Sequence, residues 1–228
     1  MNSFIYSPPK KPFLNILFED EYLMAVDKPS GLLSVPGRLP EHQDSIILRI
    51  RQSCPEAQAV HRLDMDTSGI MVIAKNPQIA GILGKQFIEK NVKKIYLARV
   101  LGKIAIKGQE NAPLRCDIEH RPLQIVDFVQ GKTALTLYER LSFDEESSLV
   151  KLIPYTGRSH QLRVHMAYLN HPILGDRFYG NTKAQTLSPR LCLHASLLQI
   201  THPLTKKQML FTSLADFAKN INPHVWIS

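Results

Sequence analysis

Two carboxylates sit two residues apart in HRLDMDTSGIMVIAK, His61 to Lys75, followed by Thr67, Ser68, Gly69 and an apolar run. Acid pairs at this spacing can bind calcium, hold magnesium for phosphoryl chemistry, or simply hydrogen-bond a turn. A calcium loop of the EF-hand type runs D-x-[DN]-x-[DN]-G and closes on a bidentate glutamate at its twelfth position. Asp64, Asp66, Ser68 and Gly69 suit positions one, three, five and six, but the twelfth is Lys75, a cation. The D-x-D-x-[TV] pattern of haloacid-dehalogenase-like phosphatases nearly fits, with Ser68 in the last place. That chemistry needs further carboxylates for Mg²⁺, and the later acids, such as Asp117, Asp127 and Asp176, read as isolated. Leu63 interrupts a kinase-type H-R-D, and Gly131-Lys132-Thr133 lacks the first glycine of a phosphate loop, where Val126 stands. His61, His160, His165 and His194 offer no i, i+4 pair and no acid–histidine cluster, so they read as structural hydrogen-bonders and no metal is expected. Asp66 reads as a turn acid. Asp64 stays open between a turn cap and a lone working carboxylate.

The elements that must position this turn follow from periodicity. Leu14 to Phe18 and Tyr22 to Val26 read as strands, and Asp27 to Arg38, with Pro-Ser-Gly, reads as a long loop. Asp44 is expected to cap a helix through Arg51. Ile70 to Ala74 reads as a buried strand, and Asn76-Pro77 as a cap and first-turn proline. The helix it opens carries Ile79, Ile82, Leu83 and Phe87 as its apolar stripe and ends near Lys90. Further strands are expected at Lys93 to Gly102, Gln124 to Val129, Thr133 to Phe143 and Ser148 to Ile153. Ser159 to Asn170 reads as a helix, Leu193 to Ile200 and Gln208 to Thr212 as a hairpin, and a short helix follows from Leu214. Strands in runs with few helices predict an α+β fold with a mixed sheet.

The whole chain narrows the function classes. Lysine plus arginine is 28 against 20 acids, a net charge of +8 over 228 residues, which favours polyanionic partners such as nucleic acid. Hydrophobic residues at 44 % suffice for a packed core. Apolar runs such as Ile70 to Ala74 fall far short of the roughly 20 residues that span a bilayer, so no membrane partner is expected. MNSFIYSPPKKPF lacks the apolar core of a secretory signal. Cys54, Cys116 and Cys192 form no C-x-x-C and no even set, which predicts a reducing cytoplasm rather than a disulfide framework. The proline-rich residues 1–13 read as an extended arm, and 14–228 as a single domain.

HRLDMDTSGIMVIAK resembles the signature of RluA-family pseudouridine synthases, with Asp64 at the position of the family's catalytic aspartate. Four more stretches match in the same order: KPSGLLSVPG from Lys28, KKIYLARV from Lys93, TGRSHQLRVHMAYLNHPILGDRFYG from Thr156, and RLCLHASLLQITHP from Arg190. Together they span most of the chain. Met65 and the KPSGLLSVPGR wording are most similar to the RluA subgroup, which implies action on both large-subunit rRNA and the anticodon stem-loop of tRNA. The resemblance implies the pseudouridine synthase fold: a mixed, largely antiparallel central sheet in two sub-halves flanked by helices, meeting at a basic cleft that holds Asp64. About a dozen residues precede the first expected strand, so no S4 domain is expected.

The implied reaction breaks the N1–C1′ bond of uridine, turns the uracil and rejoins it through C5. It changes no oxidation state, so no cofactor is expected. Asp64 acts by covalent attack or by proton abstraction at the sugar. The resemblance implies Arg163 as its support, pairing bidentately with the carboxylate, and Tyr96 as a platform for the flipped base. Leu191 and Leu193 are expected to line the pocket. Arg62 is the candidate for holding the space or phosphate as the base leaves its stack. Lys28, Arg38, Arg115, Arg121 and Arg158 are looser RNA-contact candidates. No obligate protein partner is expected. Rival readings are a synthase for a single different rRNA or tRNA uridine and a non-catalytic RNA-binding or chaperone protein on the same fold.

Overall fold

The computed structural model describes residues 5–219, 221 and 224–227. In chain order the strands begin with β1 (Ile16–Glu19), β2 (Leu23–Lys28), β3 (Gln58–Ala59), β4 (Ser68–Ala74), β5 (Lys93–Leu101) and β6 (Lys107–Glu110). They continue with β7 (Leu114–Cys116), β8 (Gln124–Val126), β9 (Thr136–Phe143), β10 (Ser147–Pro154), β11 (Leu193–Thr201) and β12 (Gln208–Thr212). The α-helices are α1 (Ile46–Arg51), α2 (Pro77–Ile88), α3 (Gln161–Tyr168), α4 (Thr182–Thr186) and α5 (His224–Ile227). The chain divides into two compact units, Met1–Lys93 with Leu197–Ser213, and Lys94–Ser196 with Leu214–Ser228. The ladders inside each unit are antiparallel, and the architecture is α+β on a mixed, largely antiparallel sheet, as the strand pattern predicts.

In the first unit β2 lies between β1 and β4, with Val26 opposite Met71 and Lys28 opposite Gly69. Every residue of β4 is buried, as its unbroken apolar run requires. Helix α2 starts where expected. The Asn76 Oδ1 accepts from the Ile79 amide at 2.9 Å, and Pro77 occupies the first turn, where its missing N–H costs nothing. Ile79 and Leu83 bury against Leu23, Ile70 and Val72, with Phe87 packed beside them. Ile82, expected in that stripe, is 37 % exposed. At about 100° per residue it falls on the edge of an arc centred on Leu83. The cap of α1 also differs from expectation: Ser45 Oγ accepts from the Leu48 amide. Asp44 instead receives Arg49 Nε and Nη2 at 2.8 and 2.7 Å. The β11–β12 hairpin is as expected, with Ile200 opposite Met209.

In the second unit β10 lies between β5 and β9, and β6 pairs the far side of β9. Tyr96 stands opposite Leu152, and Gly108 opposite Tyr138. The hydrophobic cluster gathers Ala98, Val100, Val150, Leu152, Leu162 and Met166, which places α3 on the sheet through Leu162 and Met166, four residues apart on one helix face. Strands β6 and β7 and helix α4 were not expected. β6 reads KGQE and has no apolar alternation. A side chain at Gly108 would meet Tyr138 Oη at 2.5 Å, so the glycine leaves room for the Tyr138 ring across the ladder. After Leu214 the helical turn is Asp216–Ala218. Among the described residues no helix is long and apolar enough to cross a membrane.

Candidate active site

The Asp64 turn is held from outside by the loop that follows β2. Within the turn the Thr67 amide donates to the Asp64 carbonyl at 3.1 Å. Around it the loop supplies a strap. Ser34 Oγ accepts from the Leu63 amide at 3.0 Å and donates to the Leu63 carbonyl at 2.7 Å. The Gly31 amide donates to the Met65 carbonyl at 2.9 Å, and Ser30 Oγ to the Asp66 carbonyl at 2.7 Å. The backbone on both sides of Asp64 is therefore fixed by groups other than its carboxylate, which is what a turn presenting a working acid requires. The structural bond described at Asp66 runs through its main-chain carbonyl. His61 completes the frame: its Nε2 accepts from the Val72 amide at 2.9 Å, and its ring stacks on Phe87 at 4.5 Å.

Lys28 corrects a sequence expectation. It is 0 % exposed, and its three N–H groups donate to the carbonyls of Pro29, Leu32 and Met65 at 2.9, 2.7 and 2.9 Å. An ammonium has three donors, and all are engaged inside the protein, so Lys28 is not an RNA contact. Burial pushes its pKa down to about 7, opposed by the charges of Asp64, Asp66 and Asp27.

In the second unit Arg163, 2 % exposed, donates from Nε and Nη2 to Asp176 Oδ2 and Oδ1 at 2.8 and 2.7 Å. Asp176 is 0 % exposed and also accepts from the Phe178 and Tyr179 amides, at 2.9 and 3.2 Å. Asp176 is therefore not an isolated acid: Arg163 Nε and Nη2 grip both of its carboxylate oxygens. The pair forms because Gly175, at φ +72°, turns the chain back, and any side chain there would meet the Arg190 carbonyl at 1.9 Å. The guanidinium also lies over the Phe178 ring at 5.0 Å and the Tyr179 ring at 5.2 Å.

A buried polar chain steadies α3. Gln161 Oε1 accepts from Thr156 Oγ1 at 2.7 Å, while its Nε2 donates to Leu135 O and Thr136 Oγ1, each at 3.0 Å. His165 Nε2 faces the Ala112 carbonyl at 3.0 Å, and a carbonyl only accepts, so that nitrogen carries the hydrogen. Thr136, already accepting from Gln161, then donates its hydroxyl hydrogen to His165 Nδ1 at 2.9 Å. Burial holds the His165 pKa below the ordinary imidazole value. His160 Nδ1 lies 2.6 Å from the Tyr179 hydroxyl. The hydrogen-bonding role expected of His61, His160 and His165 is thus what they perform. Gln161, Asp176 and the two strap serines gave no sequence signal as site residues, since each has a key partner 13 or more residues away.

The remaining candidates fall in different settings. Tyr96 is partly buried and packs against the cluster that contains Ala98, two residues on along β5. Leu191 and Leu193 belong to the same cluster. Arg38, Arg62, Arg121 and Arg158 are exposed, and Arg158 Nε donates to the Thr133 carbonyl at 3.0 Å. Arg115 is partly committed, with Nε on Asp127 at 2.6 Å and Nη1 on the Cys116 carbonyl at 3.2 Å.

Comparison with known proteins gives these residues a family. The profile described as RNA pseudouridylate synthase matches residues 22–168. "Dual-specificity RNA pseudouridine synthase RluA" of Escherichia coli strain K12 is 50 % identical over 214 residues, covering 93 % of this chain and 98 % of that protein. The protein of the same name from Haemophilus influenzae is 49 % identical over 214 residues, with the same coverage. Among solved structures, Human RNA Pseudouridylate Synthase Domain Containing 1 superposes with a TM-score of 0.77 at 29 % identity, covering 92 % of this chain and 87 % of that one. Human RNA Pseudouridylate Synthase Domain Containing 4 gives 0.70 at 26 % identity, covering 89 % of each. A match over more than half the sequence, half-identical relatives along nearly their full length and a shared fold lead to one conclusion: the chain belongs to the RNA pseudouridylate synthase family.

Proposed function

We propose that this protein isomerises specific uridines to pseudouridine in structured RNA, in both large-subunit rRNA and the anticodon stem-loop of tRNA. The observation that carries the dual substrate is identity of about half, along 98 % of their length, to relatives named as dual-specificity synthases. The net charge of +8 supports a polyanionic substrate. In this reading 14–228 acts as one catalytic domain behind an arm at 1–13, in the cytoplasm, with RNA as partner and no obligate protein partner.

Asp64 is the catalytic carboxylate in this proposal. It acts by covalent attack or by proton abstraction at the sugar, and the uracil is rejoined through C5 with no net change of atoms. The strap around its backbone supports the assignment, because a turn held at residues 63, 65 and 66 keeps its acid in place as the RNA changes shape. Arg163 supports the active site as a buried fixed charge, and Tyr96 offers a ring for the extruded base. Leu191 and Leu193 line the base pocket. Arg62 holds the space or phosphate as the base leaves, and Arg38, Arg115, Arg121 and Arg158 contact RNA more loosely.

Mapping pseudouridine in total RNA from cells lacking the protein tests the substrate assignment. Loss at one large-subunit rRNA site and in tRNA anticodon stem-loops is expected. Loss at a single RNA narrows the specificity, and unchanged RNA points to a non-catalytic RNA-binding protein. Chelation with EDTA leaves the activity unchanged if the chemistry is cofactor-free.

A further inference from the structure

The segment before β1 makes a set of contacts that its exposure does not explain. Ile5 is 82 % and Phe13 46 % exposed, so the segment adds little to the core. Its polar contacts instead converge on the strap around Asp64. The Tyr6 hydroxyl donates to the Asp44 carbonyl at 2.7 Å and accepts from the Leu33 amide at 3.0 Å. Leu33 lies between Gly31 and Ser34, whose bonds reach Met65 and Leu63. Its own carbonyl accepts from the Ile46 amide at 2.9 Å, so Tyr6 closes the join between the strap and α1. The Tyr6 ring meets His42 edge-on at 5.4 Å, and burial raises the phenol pKa, keeping the hydrogen that the Asp44 carbonyl needs.

A second anchor holds the segment in register. Arg49 is 2 % exposed and donates from Nη2 to the Pro9 carbonyl at 2.7 Å and from Nη1 to the Phe13 carbonyl at 2.9 Å. Its guanidinium lies over the Phe13 ring at 5.0 Å while Asp44 neutralises it. Pro9 is thereby set against Gly31, where an added Cβ would lie 3.7 Å from Pro9 Cδ.

We propose that the segment 5–13 is a positioning element of the active site, with Tyr6 as the residue that fixes the strap and through it the backbone of the Asp64 turn. The inference rests on Asp64 as the catalytic carboxylate. A segment that only added stability would lower the melting temperature and leave the chemical step unchanged. A positioning segment lowers the chemical step while RNA binding stays intact, because displacement of a catalytic group by a fraction of an ångström is felt in rate.

The test is Tyr6→Phe, which removes one oxygen and keeps the ring, with Arg49→Lys as a second variant that keeps the charge and loses the fork. Single-turnover pseudouridine formation is measured at saturating tRNA stem-loop transcript, alongside RNA affinity and amide hydrogen exchange. The expected result is a rate constant about tenfold lower, affinity within about twofold, and faster exchange at the Gly31 and Thr67 amides with Val72 unchanged. A rate within about twofold of wild type, or unchanged exchange at Gly31 and Thr67, overturns the inference. If the wild-type protein forms no pseudouridine, the reading of Asp64 fails separately, and the exchange measurement still decides whether Tyr6 fixes the turn.

Discussion

Lys28 Nζ donates to the Met65 carbonyl at 2.9 Å, joining the end of β2 to the residue that follows Asp64. A fully buried cation thus serves as a three-way tie between main-chain carbonyls. Lys28→Met removes the tie and leaves three carbonyl oxygens without this donor. It is expected to lower unfolding free energy by about 2–4 kcal/mol in urea titrations and to reduce pseudouridine formation at temperatures where the fold persists. Unchanged stability would mean that these carbonyls find water.

The Arg163–Asp176 pair is buried on both sides, so breaking it strands a charge. Asp176→Asn is expected to cost about 3–5 kcal/mol, measured by chemical denaturation. Arg163→Lys keeps the charge but cannot supply Nε and Nη2 in one plane. Most activity is expected to be lost there, with melting temperature lowered. Full activity in Arg163→Lys would assign the residue to packing alone.

Stability should fall in acid partly through His165. Its pKa is depressed in the folded state by burial, so the neutral imidazole is the native form. The unfolded chain takes up the proton first. The contribution is therefore complete above the unfolded value, about 6.5, and is lost as pH falls from there through the folded pKa. Equilibrium unfolding at pH 7.5 and at successively lower pH should show this slope, and His165→Gln should flatten it. A slope unchanged in that variant would assign the acid sensitivity to other groups.

Gly175→Ala places a carbon 1.9 Å from the Arg190 carbonyl, at a φ of +72° that favours glycine. The backbone must move, and Asp176 is the next residue. Loss of at least about 2 kcal/mol is expected, with the melting transition as the readout and native-like stability as the contrary result.

Much of this arrangement is legible in the sequence where the signal is local. Asn76-Pro77 marks the start of α2, and the apolar run after Gly69 marks β4, because a cap and a buried strand each declare themselves within a few residues. The polar edge strand β6 is silent, since pairing with β9 and not composition makes it a strand. The same contrast holds in the site. Asp64 and Arg163 stand out through motif resemblance. The burial of Lys28 and the bond from Arg163 to Asp176 depend on chain segments 37 and 13 residues apart. A lysine beside a loop reads as a surface cation until the fold wraps carbonyls around it, and Ser45 displaces Asp44 as a cap because Arg49 claims the acid.

The central claim is that Asp64 performs the chemistry. Asp64→Asn keeps the size of the side chain and removes its charge, and the turn backbone is fixed by Lys28, Ser30, Gly31 and Ser34. Incubating this variant with rRNA and tRNA stem-loop transcripts and quantifying pseudouridine tests the claim directly. No product, with RNA affinity within a few-fold of wild type, is predicted. Substantial pseudouridine from Asp64→Asn would contradict the account.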